Sequence, residues 1–226
     1  MQFQLHEGDQ SRPIEVDIRE LIIAGMTGRD AAAVQAHLDE LAEIDVKGPS
    51  RIPIYYRVSI DQLTQGDRIQ ALGTGSSGEV EAVLIGSSEG MLVAVGSDHT
   101  DRDVEAYSIA VSKQMCDKPI SRDVWRYADL VDVWDELELA SDRVDGDQKN
   151  PYQRGTVALM RTPENLIADY FDGAKELPPG YVMYTGTFAT VGDIVGAGRF
   201  EMSLTNPRTG QALRHAYDIA VLPVVE

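Results

Sequence analysis

Apolar residues fall along this chain mostly in short runs, each closed within about ten residues by glycine, proline or charge, a pattern that predicts many strands and few helices. Ahead of residue 70, strands are predicted at Phe3–Leu5, Ile14–Ile18 and Leu21–Ala24. One amphipathic helix is predicted over Arg29–Ile44, where Val34, His37, Leu38 and Leu41 recur at helical spacing before the Gly48-Pro49 breaker. Ile52–Val58 reads as a strand opened by Pro53, and Gln62–Leu72 and Gly78–Ile85 as short β elements divided by the Gly73–Gly78 loop. Ser97–Asp101 offers capping oxygens for a short helix, and Glu138–Val144 and Thr156–Met160 read as strands. Pro163–Phe171 follows as a helix begun by Thr162 and ended by Gly173. Strands at Tyr181–Thr185, Phe200–Leu204 and His215–Val221 complete the pattern, the last two joined by an Asn206–Gly210 turn. The expected class is mixed β (α+β), with no internal repeat or low-complexity tract.

Length and charge narrow the field. At 226 residues the chain suffices for one sizeable core, so a single domain over residues 1–226 is expected. Its 37 acidic and 20 basic residues leave a formal net charge of −17, which disfavours nucleic acid and anionic membranes as partners. A small anionic substrate is still admissible, because a bound cation and a few arginines dominate the field inside a site. Cys116 is the only cysteine, and the opening MQFQLHEGDQ lacks the basic and apolar regions of a secretory signal. A soluble, cytoplasmic protein is the default expectation.

Candidate chemistry concentrates between Gly78 and Lys113. Glu79 and Glu81 sit two apart on a predicted strand, so both carboxylates share a face. The apolar run Met91–Val95 ends at Gly96-Ser97 and delivers Asp98 where a buried strand emerges. Two arrangements fit these residues: a hard divalent cation (Mg²⁺, Mn²⁺ or Ca²⁺) gripped by three carboxylates, or a solvated strand face followed by an N-capping aspartate. His37 and Glu40 share a helical face at His-x-x-Glu spacing, which suits a general base with an orienting carboxylate but also an ordinary half-buried helix position. His99, His215 and Cys116 carry no comparable signal.

The order of these fragments resembles the fumarylacetoacetate hydrolase superfamily, whose fold is a mixed β-sandwich roll with a carboxylate-held metal. Glu79-Val80-Glu81 resembles its Glu-x-Glu strand, and Ser97-Asp98-His99-Thr100-Asp101-Arg102-Asp103-Val104-Glu105 its Asn-Asp-x-Ser/Thr-x-Arg-Asp-x-Gln segment. Lys113 is the closest match to the lysine that follows, Ile54-Tyr55-Tyr56-Arg57 resembles a Phe-Phe-Lys strand, and the stretch from Pro178 to Thr187 resembles a Pro-Gly-…-Thr-Gly-Thr element. The resemblance implies a magnesium-type metal on Glu79, Glu81 and Asp98 and a metal-dependent hydrolase that cleaves a C–C bond in a small 2-oxo, acylpyruvate-like or related dicarboxylic acid through a stabilised enolate. It further implies substrate contacts from Arg57, Arg102, Glu105, Thr185, Gly186 and Thr187, a catalytic Lys113, residues 71–226 as the metal-binding roll behind a possible lid helix, and a homodimer. Three departures stand out. Ala31 occupies the usual histidine position, with His37 and Glu40 six residues further on; Glu105 stands for glutamine; Phe188 stands for proline. These substitutions leave room for a lyase (a 2-keto-3-deoxy sugar acid dehydratase or an oxaloacetate-type decarboxylase), or for a catalytically silent member that only binds metal or ligand.

Overall fold

The computed structural model describes residues 1–8, 10–30, 32, 34 and 51–225. In chain order the strands are β1 (Gln2–Glu7), β2 (Gln10–Glu15), β3 (Glu20–Gly25), β4 (Ile54–Val58), β5 (Leu63–Thr64), β6 (Arg68–Leu72), β7 (Ser76–Ser77), β8 (Val80–Ser87), β9 (Gly90–Ser97), β10 (Thr100–Asp101), β11 (Lys118–Pro119), β12 (Asp123–Arg126), β13 (Glu138–Asp145), β14 (Gln148–Thr156), β15 (Tyr181–Tyr184), β16 (Arg199–Thr205) and β17 (Ala212–Leu222). Eight of them form a mixed sheet in the order β2-β1-β12-β9-β8-β15-β3-β4, and five form a second sheet in the order β14-β13-β16-β17-β6. Short helices cover Arg102–Glu105, Ile109–Met115 and Pro163–Tyr170. No helix among the described residues is long and apolar enough to cross a membrane.

The placement of β8 and β9 follows from their composition. Both are apolar on two faces, so both must be covered on two sides. Ala82, Leu84, Val93 and Val95 join a cluster with Met202, Leu204, Leu213 and Tyr217 of the five-stranded sheet. Val83, Ile85, Leu92 and Ala94 enter a second cluster on the opposite face. That second cluster draws on all eight strands of the larger sheet, including Ile14 of β2 and Val58 of β4 from the two ends of its order. The larger sheet therefore curls round its own core as a roll, and the smaller sheet packs on its outside.

Several predicted elements shift. Ser97–Asp101 contains the end of β9 and the strand β10 rather than a helix; the helical turn starts at Arg102, with the Asp101 carboxylate accepting from the Val104 N–H at 3.0 Å. Gln62–Leu72 divides into β5 and β6, and Val157–Leu159 is a 3₁₀ turn that follows β14. Strand β12 has only four residues flanked by charge, too few to display a period, and the helix Ile109–Met115 likewise lacked a legible stripe. Of the predicted helix Arg29–Ile44, only residues 29, 30, 32 and 34 are described.

Candidate metal centre

Strand pairing brings the three acids together. Antiparallel β8 and β9 set Val80 opposite Ser97 and Glu81 opposite Gly96, and the Asp98 N–H donates to the Glu79 carbonyl at 3.0 Å. One ligand oxygen from each of Glu79, Glu81 and Asp98 then lies within 4.8 Å of the others. Glu81 and Asp98 are buried. Gly186 closes over Glu81, its N–H donating to Oε2 at 2.7 Å. Its φ of +97° is left-handed, and a Cβ there would stand 1.9 Å from the Thr27 hydroxyl, so only glycine serves.

Cations ring this cluster. The helix Ile109–Met115 turns Lys113 inward, where its ammonium bonds Asp98 Oδ2, lies 3.5 Å from Glu79 Oε2 and stands 6.0 Å from the centre of the Tyr56 ring. Arg102 reaches Glu79 at 3.1 Å and Glu105 at 2.8 Å, and its Nε donates to Ser77 Oγ at 2.7 Å. Lys118, fully buried on β11, donates to the carbonyls of His99 (2.6 Å) and Cys116 (3.0 Å) and lies 3.2 Å from Asp98 Oδ1. This second lysine was missed in the sequence, because Cys-Asp-Lys-Pro shows no apolar period and reads as surface. Burial works to raise the Asp98 carboxyl, but Lys113 and Lys118 outweigh it and hold the group below its usual value. Glu81 goes the other way: burial, reinforced by Asp98 and Glu79, pushes its carboxyl well up.

The remaining predicted residues divide. Glu105 stands beside the cluster through Arg102. Arg57 is not brought to the cluster: alternation along β4 turns Tyr56 to the inner face of the roll, while Arg57 is exposed and paired with Glu20 of β3. Thr185 and Thr187 donate their hydroxyls to the Ala82 and Val80 carbonyls at 2.9 and 2.8 Å, so these donors brace the strand that bears Glu81. Gln153 adds to that brace, accepting from the Val80 N–H at 2.9 Å and donating to Thr187 Oγ1 at 2.8 Å. The His99 ring is enclosed by Tyr217 OH (3.0 Å) and Ser76 Oγ (2.9 Å), and burial lowers its pKa to about 3, so it is neutral. Burial lifts the Cys116 thiol to about 11. His37 and Glu40 lie outside the described residues.

The donor set fits a hard divalent cation. All three groups are carboxylates, two of them buried, and Asp98 Oδ1 is enclosed with the Lys118 ammonium 3.2 Å away. Three anionic groups gathered in a largely buried site repel one another, as the raised Glu81 carboxyl reflects, and a cation among them relieves that repulsion.

Solved structures share this architecture. A 2-keto-3-deoxy-D-arabinonate dehydratase complexed with magnesium and 2,5-dioxopentanoate superposes with a TM-score of 0.68 at 15% identity, over 96% of this chain and 79% of that one. A putative fumarylacetoacetate isomerase/hydrolase from Oleispira antarctica gives 0.67 at 18% identity over 96% and 99%. A fumarylacetoacetate hydrolase family protein from yeast gives 0.65 at 18% identity over 92% and 96%. The fold is thus that of the fumarylacetoacetate hydrolase superfamily. The profile of a family described as "protein of unknown function (DUF2848)" matches residues 24–217, and the chain belongs to that family. No curated protein matches it in sequence.

Proposed function

We propose that this chain is a divalent-metal-dependent enzyme that acts on a small 2-oxo acid, cleaving a C–C bond hydrolytically. One observation carries the reading: Glu79, Glu81 and Asp98 converge at the end of the roll, with Glu81 and Asp98 buried, inside a ring of ammonium and guanidinium groups. The structural neighbour that pairs magnesium with 2,5-dioxopentanoate supports a chelating oxo acid as the ligand class. Bound here, Mg²⁺ or Mn²⁺ supplies Lewis-acid polarisation of a carbonyl oxygen.

The residues themselves divide the remaining work. Glu79, Glu81 and Asp98 hold the cation, and the Gly186 N–H fixes the Glu81 carboxylate in its rotamer. Lys113, a compact cation in contact with Asp98 and Glu79, offsets negative charge that develops on the oxo acid beside it. Arg102 holds Glu79 and Glu105 in place. His37 and Glu40 are the pair assigned to water activation, as base and orienting carboxylate. On this reading the protein works as a single-domain cytoplasmic homodimer with no nucleic-acid or membrane partner.

A lyase is the second reading, and Glu105 favours it: a carboxylate at the edge of the site can take a proton from a substrate carbon without activated water. The test is a substrate panel of acylpyruvates, 2-keto-3-deoxy sugar acids and oxaloacetate, offered to chelator-stripped protein with and without Mg²⁺ or Mn²⁺. Metal-dependent acylpyruvate cleavage that Glu81→Gln abolishes supports the hydrolase. Turnover restricted to sugar acids or oxaloacetate selects the lyase, and stoichiometric metal uptake with no turnover selects a silent binder. Absence of metal uptake refutes all three.

A further inference from the structure

The Arg102 guanidinium is committed on every side: Nε to Ser77, Nη2 to Glu79 and Nη1 to Glu105. A carboxylate arriving at this arginine therefore meets one already there. Side-chain exposure rises from Asp98 (1%) through Lys113 (8%) to Arg102 and Glu79 (18% each) and Glu105 (30%), which makes Glu105 the most exposed member of this set.

The charges of this connected network decide what can enter. Four carboxylates (Glu79, Glu81, Asp98 and Glu105) face three cations (Arg102, Lys113 and Lys118), a surplus of one negative charge. One divalent cation converts this into a surplus of one positive charge, which a single carboxylate neutralises. A second carboxylate on the same ligand finds no free cation in this network among the described residues and faces Glu105 at low effective dielectric.

Building on the metal-dependent 2-oxo acid reading, we propose that Glu105 sets substrate specificity, admitting 2-oxo monocarboxylates with an uncharged far end and rejecting 2-oxo dicarboxylates. Two like charges about 6 Å apart near a protein surface repel by roughly a factor of ten to a hundred in binding, and the partial exposure of Glu105 puts the expected discrimination near tenfold. Replacing Glu105 by Gln removes the negative charge and leaves the Arg102 charge without its Glu105 counter-charge, open to pairing with a second substrate carboxylate.

Calorimetry of the whole chain provides the test. Magnesium uptake by chelator-stripped protein is measured first, and then binding of 2-oxobutyrate and 2-oxoglutarate to the magnesium-loaded protein, wild type and E105Q. The expected result is a preference of about tenfold for 2-oxobutyrate in the wild type that shrinks with added salt and closes or inverts in E105Q. Equal binding, or a wild-type preference for 2-oxoglutarate, with normal magnesium uptake overturns the role of Glu105 and leaves the metal site standing. If magnesium is taken up and neither oxo acid binds, the 2-oxo acid reading and the role of Glu105 both fall; if no magnesium is taken up, the metal centre itself falls with them. Should E105Q fail to fold, the wild-type ratio and its salt dependence decide the matter, with Glu105→Ser as the second variant.

Discussion

Replacing Lys118 by Met tests how the buried charges of this site are balanced. Methionine keeps most of the aliphatic stem and removes the ammonium. In the native chain that ammonium donates to the His99 and Cys116 carbonyls and stands 3.2 Å from Asp98 Oδ1. The variant thus strips two buried acceptors of a donor and leaves Asp98 with Lys113 as its one remaining close cation among the described residues. An unsatisfied buried polar group costs about 1–3 kcal/mol, and removal of one partner from a buried ion pair about 3–5 kcal/mol. The two contributions overlap, so a loss of about 3–6 kcal/mol is expected, or a fall in Tm on the order of 10 °C for a chain of this size. Calorimetric or circular-dichroism melting of chelator-stripped protein reads this directly. Magnesium should raise the Tm of K118M by more than that of the wild type, because a cation on Asp98 replaces the missing charge. A variant that melts within about 2 °C of the wild type would show that Lys118 holds nothing together. A variant that melts early and gains no more from magnesium than the wild type would dissociate Lys118 from the metal centre.

Three further outcomes follow from the same geometry. Glu81→Gln should leave the metal-free protein as stable as the wild type or more so, since burial and the neighbouring carboxylates already disfavour the charged acid there, yet weaken magnesium binding by at least about tenfold; intact magnesium affinity by calorimetry would remove Glu81 from the ligand set. Gly186→Ala forces a side chain into a left-handed conformation against Thr27, so a loss of about 1–3 kcal/mol in denaturant melts is expected, together with weaker metal uptake as Glu81 loses its backbone donor; unchanged stability would mean that Thr27 yields freely. His99 is held at about 3 by burial, then by Lys118 and Arg102, whereas its ordinary value is 6.5. The unfolded chain therefore takes up the proton first, and this contribution is complete above about pH 6.5 and is lost as pH falls toward 3, at up to about 1.4 kcal/mol per pH unit. A cation on the neighbouring carboxylates acts in the same direction. His99→Gln should flatten the acid limb of a stability–pH curve relative to wild type, and parallel limbs would contradict the burial of a neutral ring.

Much of the candidate site was legible in the chain itself. The Glu79–Glu81 spacing puts both acids on one strand face, and the double-sided apolar runs of β8 and β9 demand an interior place in the sheet, so Asp98 has to emerge from the core beside them. These are consequences of the two-residue repeat of a strand, which any local stretch carries within itself. The helix Pro163–Tyr170 and the hairpin of β16 and β17 were legible for the same reason, each having its cap or turn residues close at hand.

Other features depended on partners far away in the chain. Lys118 looks like a surface lysine until β11 pairs with β5 and its ammonium finds two carbonyls and Asp98. Which face Arg57 takes is set only by the curl of the sheet, which gives the inner face to Tyr56 and pairs Arg57 with Glu20. The Thr185 and Thr187 hydroxyls look free until β15 lies against β8 and they meet its carbonyls. Local periodicity determines which side of its own strand a residue takes. Whether that side meets solvent, a counter-charge or a carbonyl is decided only when the eight strands curl into a roll, because the cost of burying a charge is set by groups that sequence distance does not reveal.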